Sequence, residues 1–297
     1  MYTMRYSGAF RAFLIVLLPF LACTSCSHNQ AVKRIVREPG IYIVLATTDW
    51  GEGRPEDVTK VLLSVYNQLT KHIVVDSCIS VSVEHNTRQN GTPKTPFALN
   101  DQGDYVVLLT AYDRRWAQYS YQFAHEMTHV LLRSKLVGST PRFGKNAWLD
   151  ESLAETASLY TMRAMAKDWV RNPPYSNWST YSSSLAEYVD DRYKQDLAQP
   201  VDGKSLDTAG FVQKNSDRLR SKNSIYSDDY YLATRLLPLF EKHPEGWNAI
   251  RYMYVSDHDF DRDLGSLLQN WQSRCPARLK PFAHEFSLLL GVGAKSK

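Results

Sequence analysis

Residues 121–132 read YQFAHEMTHVLL, with two of the chain's eight histidines four positions apart and an acid directly after the first. Apolar Phe123, Val130 and Leu131 recur around them at helical spacing, so the segment reads as an amphipathic helix. Four residues turn a helix by ~400°, which puts His125 and His129 on one face. Both rings can then reach a single ion, with Glu126 beside it. The plainer alternative is a packed helix carrying two incidental histidines.

The surroundings set this helix in a mixed chain. Upstream, GIYIVLATT (40–48), CISVSVEHN (78–86) and DYVVLLTAY (104–112) are short β-branched runs that read as strands. Between the first two, residues 54–73 space Val58, Val61, Leu62, Val65, Tyr66 and Leu69 at three and four, a helix headed by Pro55, Glu56 and Asp57. Asn90-Gly91 in the turn-rich RQNGTPKTP is a hairpin signal. Downstream, residues 147–170 form a long run of good helix formers. Residues 171–224 are polar and predict short helices and a surface loop, and 228–290 turn helical again with breaks near His243 and Cys275. The fold class expected is α+β: a small mixed sheet with its helices, then a mainly helical lobe. In residue terms this gives a signal segment at 1–25, a tether at 26–40, an α/β sub-domain at 41–140 and a helical sub-domain at 141–297.

Composition bounds the partners. The 297 residues are 43% apolar with a formal charge of +4, and the mean hydropathy is −0.39. No basic run interleaves with aromatics, so nothing points to nucleic acid. The amino-terminal segment places Arg5 and Arg11 before an unbroken apolar run, Ala12–Ala22, and then small residues. That is the layout of a secretory signal, and the run falls short of the ~20 residues of a membrane-spanning helix. Two of the four cysteines, Cys23 and Cys26, close this segment. It resembles a bacterial lipoprotein signal, in which a cysteine after small residues is lipidated. Cys26, after Thr24 and Ser25, is the favoured residue and Cys23 the alternative. Plain secretion without a lipid is the other reading. Cleavage before Cys26 leaves Cys78 and Cys275 as an even pair, open to a disulfide in an oxidising compartment.

Two histidines leave a catalytic zinc one protein ligand short. In NAWLDESLAETASL (146–159), Glu151 and Glu155 again lie four apart and share a helix face. If Trp148, Leu149, Leu153 and Ala154 pack inward, these carboxylates need a charge partner, which a zinc-histidine pair provides. A solvated acidic face is the alternative.

Together HEMTHVLL (125–132) and WLDESLAE (148–155) resemble the gluzincin branch of zincin metallopeptidases. The resemblance implies one zinc per chain, held by His125, His129 and Glu151, with Glu126 as general base and Glu155 orienting a zinc histidine. Ser152 stands where many members of that branch have glycine. The family also implies an edge strand that pairs with an extended substrate, for which YVVLLTAY (105–112) is the candidate. It implies an oxyanion donor from the helical lobe as well, for which Tyr230 and Tyr231 are candidates among eighteen tyrosines. The expected function is peptide-bond hydrolysis by an exported protein, held in the bacterial cell envelope by an amino-terminal lipid and facing the periplasm or the exterior. A lipid-anchored binding or scaffold protein on a zincin-like fold, without peptidase activity, is the alternative.

Overall fold

A computed structural model describes residues 33–38, 40–74, 78–88, 91–96, 99–136, 144–197, 207–221 and 226–293. The signal segment with Cys23 and Cys26, and Asn90 of the hairpin signal, lie outside the described residues. Ala31–Lys297 forms one compact unit. Both expected sub-domains therefore belong to the same body.

Among the described residues four strands make one sheet in the order β1-β2-β3-β4: β1 Lys33–Glu38, β2 Ile41–Ala46, β3 Ile79–His85 and β4 Tyr105–Leu109. The first pair is antiparallel, and β2, β3 and β4 run parallel. Parallel neighbours need a crossover, which α1 (Pro55–Thr70) supplies between β2 and β3. Its buried face carries all six residues that the spacing selects. Two expectations need correcting here. The segment read as a tether contributes β1: KRIVRE sets two β-branched residues among charges, a composition that suits an edge strand and disguises it as linker. The turn-rich stretch does not join β3 to β4 as a hairpin, because those two strands are parallel.

Two helices carry the candidate residues, α2 (Trp116–Arg133) and α3 (Ala147–Trp169). Gln122 fastens α2 to the end of β4: its Oε1 accepts from the backbone N–H groups of Thr110 and Ala111, both at 2.9 Å. Ser158 Oγ donates to the Tyr121 carbonyl at 3.0 Å, tying α3 to α2. Buried small residues (Ala154, Ala157, Ser158) let the two backbones approach. The start of α3 is held from elsewhere in the chain. Asn146 Nδ2 donates to the Arg262 carbonyl at 2.9 Å. At Gly144 a Cβ would lie 2.2 Å from the Phe260 carbonyl oxygen, so only glycine permits that approach.

The rest is helical: α4 Tyr181–Leu197, α5 Thr208–Lys214, α6 Ser216–Arg220, α7 Tyr226–Lys242, α8 Gly246–Ala249, α9 Leu264–Arg274 and α10 Lys280–Leu289. α3 runs through the middle, packing against α1, α2, α4 and α7. At the carboxyl end, Phe240 stacks on Trp247 at 4.0 Å, and Trp271 meets Phe286 edge-on at 5.2 Å. The polar stretch read as short helices and loop holds α4, a helix of 17 residues. Among its residues Leu185 and Val189 are fully buried, too few for an apolar period to show.

Candidate metal centre

The helix predicted for 121–132 forms, and its two histidines share a face. Their ring centroids lie 5.0 Å apart. From α3, Glu151 reaches both: Oε2 is 3.2 Å from His125 Nε2, and Oε1 is 3.6 Å from His129 Nε2. His125, His129 and Glu151 each offer an atom, all within 4.8 Å of one another, a group that could hold a metal ion. Two zinc bonds of ~2.0–2.1 Å at a tetrahedral angle separate their ligand atoms by ~3.3 Å. The two contacts fall on either side of that value, so the spacing is compatible with a metal ion.

Glu155 lies one turn further along α3 and engages the other side of the same ring, its Oε1 3.3 Å from His125 Nδ1. Its second oxygen accepts a hydrogen bond from the Tyr121 hydroxyl. A carboxylate on Nδ1 fixes the ring's orientation and turns Nε2 towards Glu151. Burial opposes a charge on His125, but the hydrogen bonds to Glu151 and Glu155 outweigh it and hold its pKa well above the usual histidine range. Burial likewise opposes the Glu151 carboxylate, and the His129 charge with the two ring hydrogen bonds reverses that, holding its pKa far below the ordinary range. His125 and the Glu151 carboxylate thus each favour the charged form of the other. A cation between the two Nε2 atoms and Glu151 would satisfy the same carboxylate.

Glu126 is 3% exposed, and its Oε2 has no hydrogen-bond partner. Leaving a carboxylate oxygen buried and unbonded costs ~1–3 kcal/mol or more, and such an atom calls for an explanation. Its explanation is position: Glu126, both histidines, Glu151 and Glu155 all line one cleft of about 910 Å³.

The tyrosine pair separates. Tyr230 lines the cleft beneath the Arg192 guanidinium, which lies 3.9 Å from its ring centroid. Tyr231 does not reach it. Adjacent helical residues point ~100° apart, and Tyr231 is buried against Phe211, with ring centroids 4.6 Å apart. The expected substrate strand also needs correcting. β4 is the last strand of the sheet, but Lys94 and Leu108 exchange backbone hydrogen bonds of 3.0 and 2.9 Å. Residues Thr92–Thr95 line the cleft where β4 was expected to. Cys78 and Cys275 are both free, the first exposed and the second buried. Burial pushes the Cys275 thiol up to about 11. An even count is only permissive for a disulfide, and these two side chains stand in different surroundings.

Four residues beside the site escape a reading of the sequence. Tyr121 sits four residues before His125, on the same face, and its spacing could have found it. Arg133 and Asp150 approach within 4.0 Å behind the ligands. Burial raises the Asp150 pKa against the pull of Arg133 and a hydrogen bond to Tyr254. Asp229, in the first turn of α7, lines the cleft, is 3% exposed, and has an Oδ1 without a hydrogen-bond partner. Burial, together with the neighbouring charges of Glu151, Asp228 and Glu155, pushes its pKa up to about 8.

No family model matches the chain, and no curated protein matches it in sequence. The functional reading therefore rests on the site's own geometry and chemistry.

Proposed function

We propose that the protein is a zinc-dependent metallopeptidase of gluzincin type, hydrolysing peptide bonds in the cell envelope. The observation that carries this reading is the meeting of His125 Nε2, His129 Nε2 and the Glu151 carboxylate across two helices, with the unpartnered Glu126 oxygen in the same cleft. Two histidines and a carboxylate leave a coordination position open, as catalytic zinc sites do. Zinc held there supplies Lewis-acid polarisation of a carbonyl and makes water more acidic. Glu126 takes the proton from the attacking water and returns it to the leaving amine. Glu155 keeps His125 in the ligating orientation through Nδ1. Tyr230, the member of the tyrosine pair that lines the cleft, would donate a hydrogen bond to the developing oxyanion.

Export through segment 1–25 and lipidation of Cys26 would hold this domain at the membrane. Among the described residues no helix is long and apolar enough to cross one. The deciding experiment is metal analysis of protein purified without chelator, paired with peptide turnover by wild type and Glu126→Gln. One zinc per chain, with turnover lost in the variant, is the expected result. Absence of stoichiometric zinc would refute the reading. Cys26→Ala should release the protein from the membrane fraction while Cys23→Ala does not.

A further inference from the structure

Among the described residues four carboxyls line the cleft: Glu126, Glu151, Glu155 and Asp229. Three have work within the proposed peptidase site. Glu151 faces both Nε2 atoms, Glu155 divides its oxygens between His125 and Tyr121, and Glu126 adjoins the ligands as base. The neighbour of the fourth is also accounted for, since Asp228 is paired with Arg218 at 3.0 Å. Asp229 is different. It belongs to α7, a helix that supplies no metal ligand, and its buried Oδ1 has no hydrogen-bond partner. The fields of Glu151, Asp228 and Glu155 converge on it, and His125 offsets only part of them. A cation entering the cleft would find there a local negative potential and a free acceptor. Zinc at the ligand set would take up the charge of Glu151 but would not give Asp229 a hydrogen bond.

We infer that Asp229 is a specificity-determining residue that binds a positively charged nitrogen of the substrate. The chemistry that fits is an ammonium, from either a free peptide amino terminus or a lysine-type side chain. Charge-assisted hydrogen bonds are among the stronger ones available, and in a buried site they discriminate sharply against a ligand that leaves the acceptor empty. The assignment takes the peptidase reading only as the reason why the cation belongs to a peptide. The cation site itself can be tested without turnover.

The test is calorimetric binding of three alanine-based pentapeptides to the zinc-loaded mature chain carrying Glu126→Gln, which prevents hydrolysis. One peptide has a free amino terminus, one is acetylated, and one is acetylated with lysine at its centre. One of the two cationic peptides should bind ~10- to 100-fold more tightly than the neutral one. Whichever does so identifies the source of the ammonium. Asp229→Asn, made in the same background, should erase that preference, leave affinity for the neutral peptide unchanged and keep one zinc per chain. Three peptides bound alike or not at all, a preference that survives Asp229→Asn, or a second zinc lost with Asp229 would each overturn the inference. If Asp229→Asn does not fold, the comparison among peptides on the parent protein still decides. Turnover of the same peptides by the wild-type chain tests the peptidase reading separately. A cation preference without turnover would leave Asp229 assigned and the hydrolase rejected.

Discussion

Two buried aspartates, Asp229 in the cleft wall and Asp259 beneath the carboxyl-terminal helices, show opposite ways of enclosing a charge. Asp259 is fully buried and fully served: Arg274 donates to both of its oxygens at 2.9 Å, Arg262 to one at 2.9 Å, and the backbone N–H groups of Val255 and Ser256 at 3.1 Å. Burial works against its charge, yet these donors hold its pKa down to about 2. Asp229 is nearly as buried, but it has carboxylates for neighbours and an oxygen left over, and its pKa is pushed up to about 8. One aspartate joins the chain to itself. The other holds a capacity that the protein does not use internally, which is the mark of a surface shaped for something else. Glu126, buried with an unbonded oxygen, belongs with Asp229.

The sharpest way to break this contrast is to exchange the effects of the two regions. Glu126→Gln should lower kcat by ~10²–10⁴-fold with zinc content and thermal midpoint unchanged, as measured by turnover, metal analysis and calorimetry. Asp259→Ala should do the reverse and cost ~3–5 kcal/mol of stability in denaturant titration, because it leaves buried arginine donors unpaired. Acid should expose the same bond network. The pKa of Asp259 is depressed, so its contribution is complete above the ordinary aspartate value of 3.8 and is lost as pH falls from there through about 2. Asp259→Ala should lack this acid-sensitive component. If it unfolds with the wild-type pH profile, the aspartate is not the joint described here.

Smaller effects sharpen the boundary within the site. Glu151→Gln should fail to hold zinc, whereas Glu155→Gln should bind it at saturating concentration and work ~10- to 100-fold less well, because only the orientation of His125 is disturbed. A zinc titration that finds the two variants reversed would exchange their roles. The last prediction concerns Asp229. Its folded pKa lies above the unfolded one, so it favours folding less and less as pH rises from about 4 towards 8. Asp229→Asn should therefore stabilise the zinc-free protein at neutral pH, with the gain vanishing below about pH 4. A lower melting temperature at pH 7 would show that the carboxyl is structural after all.

Much of this was legible in the sequence, for a physical reason. In α1 and α2 the apolar residues recur with the helical period, α3 is a long run of good helix formers, and ligand spacing obeys the same geometry that makes a helix. His125, His129, Glu151 and Glu155 could be aligned without knowing where the rest of the chain runs. What escaped depends on tertiary neighbours. β1 hides because its flanking charges look like linker, and α4 because few of its residues are buried. Tyr230 and Tyr231 differ only in which face of α7 meets the cleft. Asp228 and Asp229 read alike as acids at a helix start, and only the position of Arg218 tells the paired one from the other.

The placement of the ligands bears on how the molecule assembles. His125, His129 and Glu151 come from consecutive helices that pack directly on each other. Closing the loop between neighbouring elements costs little chain entropy, so contacts of this kind form early. Asp229 enters from α7, far later in the chain. As the polypeptide emerges from synthesis, every residue of the candidate metal centre is therefore present well before the wall that carries Asp229. The candidate metal centre is local in the chain, and Asp229 joins it only with the long-range contacts that complete the fold.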